Sequence, residues 1–163
     1  MKLRSIFAAL IVFTFLFSAC DKDKKDPAPT QEPAPAPAAN SMTAKVNNAD
    51  WAAFIPTATI QNGELLLAGS NASRHAIALY TQNANLTAPG TFSAIATFME
   101  MPQDTTNGPT WMNPAMSVTI TKLDLTAKKV SGTFSFSAIA VPGTGASGMK
   151  AVTNGVFTDV TIQ

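Results

Sequence analysis

The stretch GTFSFSAIA, Gly132 to Ala140, alternates without a break: Phe134, Phe136 and Ala138 fall on one side, Thr133, Ser135 and Ser137 on the other. Successive side chains change sides only in an extended chain, so a two-residue period describes a strand with one face buried and one in water. The same texture recurs from Thr43 onward. Thr91 to Met99 keeps Phe92, Ala94, Ala96 and Phe98 in phase, and HAIALYT pairs Ile77 with Leu79. MSVTITKLDL groups Val118 with Ile120, then slips phase at Leu123 and Leu125, as a bulge would. No stretch sustains a 3.6-residue period, so helices are expected to be few.

Turn residues punctuate these runs. Asn62-Gly63, inside ATIQNGELLLAG, is a strong hairpin signal, because both residues accept the positive φ angles of a two-residue reversal. Asn47-Asn48 separates a first strand from a short second one carrying Trp51, and Asn154-Gly155 reads as a further turn before a last strand with Val156, Val160 and Ile162. The spacing predicts an all-β fold, an antiparallel β-sandwich of about eight or nine short strands, with a small β-barrel as the alternative. The predicted core is Trp51, Ile77, Leu79, Phe92, Phe98, Val118, Ile120, Phe134, Phe136 and Phe157.

Charge and composition exclude several functions. The chain has 163 residues, enough for one domain, and a formal net charge of +1, so it carries no basic footprint for nucleic acid. One cysteine excludes an intrachain disulfide, and one histidine, His75, argues against a structural zinc site, which takes four Cys or His ligands. No cofactor is expected.

Motifs for chemistry are weak. GTGASGMK, Gly143 to Lys150, lacks the Gly-Lys-Ser/Thr ending of a phosphate-binding loop and reads as an inter-strand loop. His75 has no recognisable nucleophile motif to serve. Of the domain's acids, all but Glu100 fall in turns or at strand edges, and nothing in the sequence pairs two of them for glycosidase chemistry or clusters them for calcium. The chain is therefore read as a non-enzyme. FMEMPQDTTNGPTWMNPAM, Phe98 to Met116, reads as a long loop, since Pro102, Pro109, Pro114 and Gly108 oppose a regular strand in its middle. Trp111, Met112 and Met101 within it are the candidate ligand-binding residues, because Trp and Met are adaptable contact residues when exposed.

The N-terminus is of another kind. Lys2 and Arg4 precede an uncharged apolar run, Ile6 to Phe17. At about 1.5 Å per residue that run spans about 18 Å as a helix, short of a bilayer core of about 30 Å but suited to a signal peptide. Ser18 and Ala19 lead to Cys20, and LFSAC resembles the lipobox of bacterial lipoproteins, although Phe17 stands where an aliphatic residue is commoner. The resemblance implies a signal peptide over 1–19, cleavage before Cys20, and lipidation of Cys20, hence a membrane as partner. Residues 20–42 then form the lipidated cysteine and a Pro/Ala tether with Pro27, Pro29, Pro33, Pro35 and Pro37. At about 3.1 Å per residue the tether could reach roughly 70 Å. The all-β domain is assigned to 43–163.

Charges directly after Cys20, DKDKKD, also resemble the surface-export signals of Bacteroidota lipoproteins, though with more lysine. Asp104-Thr105-Thr106 resembles the O-glycosylation sites of exported proteins of that group, with Thr105 as acceptor. MTAKVNNADWAA, VTITKLDLTAKKVSGTFSFSA and VTNGVFTDVTI together resemble a family of small Bacteroidota lipoproteins built on a domain of unknown function, with a GTFSF strand and a TNGxF closing hairpin. The resemblance implies an all-β fold and a location, and no activity. The expected function is thus a membrane-anchored outer-membrane lipoprotein, on the periplasmic face or the cell surface, acting as a non-catalytic binding or envelope-structural module. A glycan- or small-ligand-binding accessory domain and an unrecognised enzyme are the alternatives, and a glycan or an envelope protein is the candidate partner.

Overall fold

The structure, a computed structural model, describes residues 38–82, 84–103 and 108–163. Nine strands follow in order: β1 Ser41–Val46, β2 Ala49–Ala52, β3 Thr57–Gln61, β4 Glu64–Ser70, β5 His75–Thr81, β6 Gly90–Glu100, β7 Thr110–Asp124, β8 Lys129–Ala140 and β9 Met149–Thr161. Among the described residues there is no helix. Every neighbouring pair is antiparallel, and all nine belong to one sheet in the order β2-β1-β9-β8-β7-β6-β5-β4-β3.

That single sheet curls into a half-barrel, which realises the expected antiparallel all-β architecture nearer its barrel form than its sandwich form. Beyond the point where β1 begins, opposite Thr158, the free edge of β9 meets the start of β3: Ala58 bridges Ile162 in parallel, and Gln163 N donates to the Ala58 carbonyl at 2.9 Å. Phe54 N donates to the Ser70 carbonyl at 2.8 Å, joining the chain after β2 to the end of β4.

The alternation decides which side of the curl each residue takes. Inward-facing Met42, Trp51, Leu65, Leu67, Ile77, Leu79, Phe98, Val118, Ile120, Val130, Phe134, Phe136, Val152 and Phe157 are buried in one cluster. Burying one such large side chain fully is worth about 1.5–3 kcal/mol. Nine of the ten predicted core residues are buried, and Phe92 packs on the cluster half-buried. The phase slip at Leu123 is a true irregularity, lying where the β7–β8 register shifts between Ile120 and Lys122.

Two expectations are corrected. Asn154-Gly155 is not a turn: it lies inside β9, where the β8 register shifts between Phe134 and Phe136, so the expected closing hairpin is a bulged continuous strand. Asn154 alone takes a left-handed φ of 53° there, whereas Asn62 and Gly63 both do, at 52° and 79°. One left-handed residue kinks a strand and two reverse it. Phe98 to Met116 is not a long loop either. β6 runs to Glu100 and β7 starts at Thr110 and passes through Pro114. The proline is tolerated because pairing is interrupted beside it, with shifts between Met112 and Val118 toward β8 and between Ala94 and Ala96 toward β6.

The β9 kink at Asp159, φ 46°, carries a charge network. Lys122 Nζ donates to Asp159 Oδ1 at 2.9 Å, Ser131 Oγ donates to the same oxygen at 3.3 Å, and Asp159 N donates back to Ser131 Oγ at 2.8 Å. The Lys122 hydrogen bond, with help from that lysine's charge and from Ser131, holds the carboxyl below its ordinary value. A depressed folded-state value means that Asp159 stabilises the fold above its unfolded pKa, and that this contribution is lost as pH falls through the folded value. Asp159→Asn keeps the left-handed backbone accessible and removes only the charge. Its thermal midpoint should lie below wild type at neutral pH, and the gap should close in strong acid.

Candidate functional site

β9 has two distinct ends. Thr161 N, at its finish, donates to Asn40 Oδ1 at 3.2 Å, so the described chain enters the domain there. At about 3.3 Å per residue, Lys150 at its start lies roughly 35 Å away.

Around Lys150, one end of the half-barrel is closed by side chains. Lys150 Nζ sits 4.4 Å from the centroid of the Trp111 ring and 5.5 Å from that of Phe98, and donates to Glu100 Oε1 at 2.5 Å. Phe98 packs against Trp111 and against the edge of His75, with centroids 5.8 Å apart in both pairs. Trp111 Nε1 donates to the Ser147 carbonyl at 3.1 Å, and Trp51 Nε1 to that of His75 at 3.1 Å. An ammonium held by a carboxylate and an aromatic face is occupied as a structural group, with the cation–π contact worth about 0.5–2 kcal/mol. Among the described residues no three His, Cys, Asp or Glu side chains gather where they could hold a metal, and no buried side-chain polar atom lacks a partner.

The three sequence candidates separate. Trp111 is 4% exposed and faces inward, so its placement in an exposed loop is corrected: it is part of the barrel-end cap. Met112, the next residue, faces outward. It is in register with Ile139, which pairs with Met149, and these last two are 60% and 64% exposed. Met101 lines a different outer depression, with Met99, Ile55, Ala76 and Ala78. Cys20 and Thr105 lie outside the described residues.

A second outward feature was not singled out from the sequence. Tyr80 on β5 is in register with Leu66 on β4, which pairs with Thr59 on β3; Gln61 and Glu64 form the next pair, beside the Asn62-Gly63 turn. These side chains line a cleft of about 210 Å³. Tyr80 is 40% exposed, and its hydroxyl donates to Glu64 Oε2. That hydrogen bond, chiefly, raises the phenol above its ordinary pKa. The turn under the cleft is pinned: Leu86 N donates to the Gly63 carbonyl at 2.9 Å, and Leu65 N donates to the buried Thr81 Oγ1 at 2.7 Å. The signal was present in HAIALYT, because inward Ile77 and Leu79 put Tyr80 outward.

A filled half-barrel with a capped end and an outward aromatic cleft defines an antiparallel all-β domain. Residues 38–161 match the family described as a domain of unknown function, DUF6252, and the chain belongs to that family. No curated protein and no solved structure matches it.

Proposed function

We propose that the protein is a lipid-anchored outer-membrane lipoprotein whose β-domain is a non-catalytic binding module. The observation that carries this reading is the order of parts. A short apolar leader ends at Cys20, a charged and Pro/Ala-rich stretch follows, and the first strand begins only at Ser41. The family match begins at residue 38, leaving the leader and residues 20–37 outside the shared domain, as expected of an anchor appended to a module. The expected tether of 20–42 is too long at its end, because Ser41 and Met42 belong to β1 and Met42 is buried in the core. Three acyl chains would hold the protein on a bilayer for practical purposes permanently, since each buried methylene contributes about 0.8 kcal/mol. The outward Met112, Ile139 and Met149 lie toward the end of β9 opposite the chain's entry, a suitable position for meeting a partner.

Metabolic labelling with a palmitate analogue in the native host tests the anchor. Wild type should take up label, Cys20→Ala should lose it, and the variant should leave the membrane fraction. An unlabelled wild type would overturn the reading. Protease treatment of intact cells then separates the cell surface from the periplasmic face: a cleaved domain is outside, a protected one inside.

A further inference from the structure

We infer that the Tyr80 cleft is a binding subsite for a neutral sugar ring of a glycan. Sugar rings present two kinds of surface, a face of C–H groups and a rim of hydroxyls. The cleft offers the complement of both. The exposed ring of Tyr80 and the neighbouring Leu66 side chain supply an apolar floor, and Thr59, Gln61, Asn62 and Glu64 supply donors and acceptors around it. Amide side chains both donate and accept, and a carboxylate accepts several hydrogen bonds at once, which suits hydroxyls that do both. An aromatic ring with a polar handle is an effective contact residue where one side of a ligand is apolar and the other wet.

Size and charge narrow the ligand further. At about 210 Å³ the cleft is smaller than the roughly 300–1,000 Å³ of pockets that engulf a small molecule, so it fits one ring of a longer, mostly exposed chain. Its one charged lining residue is an acid, Glu64, which disfavours uronic and sialic acids by like-charge repulsion. The floor is preorganised. Glu64 fixes the Tyr80 hydroxyl, and the Asn62-Gly63 turn is held against the Ala84–Leu86 segment, where a Cβ on Gly63 would lie 2.9 Å from the Ala84 carbonyl oxygen. A rigid floor lowers the ordering cost of binding a weak ligand. This inference rests on reading the domain as a binding module and is independent of the lipid anchor.

Tyr80 is the only tyrosine in the chain, so isotope-labelled tyrosine reports on this cleft alone. Full-length protein in detergent would be screened on an array of neutral and acidic glycans. Hits would then be titrated as soluble oligosaccharides while the labelled ring resonances are followed by NMR. The expected result is saturable shifts of the Tyr80 signals with at least one neutral oligosaccharide and none with its uronic-acid counterpart. Tyr80→Ala should weaken binding at least tenfold, as read on the array. Gln61→Ala, at an exposed position that threatens the fold less, should weaken it severalfold. Absence of any neutral ligand on the array, equal binding of acidic glycans, or unchanged binding in a folded Gln61→Ala and Tyr80→Ala pair would each overturn the inference. A glycan hit that both variants leave unchanged would overturn the cleft while leaving the binding-module reading standing, and no hit at all would count against both, so the two readings fail separately.

Discussion

Gly132→Ala is expected to destabilise the domain by about 3 kcal/mol or more, enough to unfold a marginally stable protein. Gly132 sits buried in β8, between β7 and β9. A Cβ there would lie 2.2 Å from the Thr119 carbonyl oxygen and 2.5 Å from Phe157 Cζ. The first contact is with backbone that is itself paired on both sides, Thr119 with Thr91 and with Thr133, so it cannot retreat without opening two ladders. Space is the reason for the glycine, since its φ is not in the left-handed region. Gly143 is the control. It has φ +80° and nothing within 4 Å of its would-be Cβ, so Gly143→Ala pays only for a left-handed backbone, about 1–2 kcal/mol. Urea midpoints of the two variants should differ widely. A Gly132→Ala protein that melts with the wild type would mean that β7, β8 and β9 do not approach as closely as described.

Much of this fold was legible because alternation is a local property. Phe134 and Phe136 on one side of β8, or Ile77 and Leu79 on one side of β5, need no knowledge of the rest of the chain. What was not legible depends on partners distant in sequence. Asn-Gly at 62–63 and at 154–155 is the same dipeptide, yet one reverses the chain and the other bulges within a strand. The second site is decided by Phe134, which lies over Gly155 so closely that a Cβ there would be 2.5 Å from its ring. Pro114, with Pro102, Pro109 and Gly108, opposes a regular strand on sequence grounds, but the interrupted pairing beside it is supplied by β6 and β8. There Asn113 Nδ2 donates to the Ser137 carbonyl at 2.9 Å, and Ala115 N donates to Asn113 Oδ1 at 2.9 Å. Among the site residues, Tyr80 could have been placed outward by counting from Leu79. Trp111 could not have been placed inward, because that required knowing that β7 begins at Thr110.

Trp111→Ala should cost about 3–5 kcal/mol, whereas Met112→Ser should stay within about 0.5 kcal/mol of wild type. The two residues are adjacent in sequence and were grouped as one contact surface, so the pair tests the assignment directly. Removing the indole leaves a void against Phe98, takes away the donor to the Ser147 carbonyl, and removes the aromatic face that holds Lys150 4.4 Å from its centroid. Lys150 would keep only Glu100 and the more distant Phe98 ring, and the β8–β9 loop would lose a tie to β7. Trp111→Phe should recover part of the loss by refilling the void without restoring the Ser147 hydrogen bond. Met112, partly exposed beside Ile139, loses little on truncation to a polar residue. Thermal melts of both variants at one pH decide between the roles. If Trp111→Ala melts with the wild type and Met112→Ser does not, the strand is turned the other way and the indole belongs to the contact surface. With the order as expected, the end of the half-barrel is held shut by Trp111 and Lys150, and the proposed binding surface is to be sought among the outward side chains.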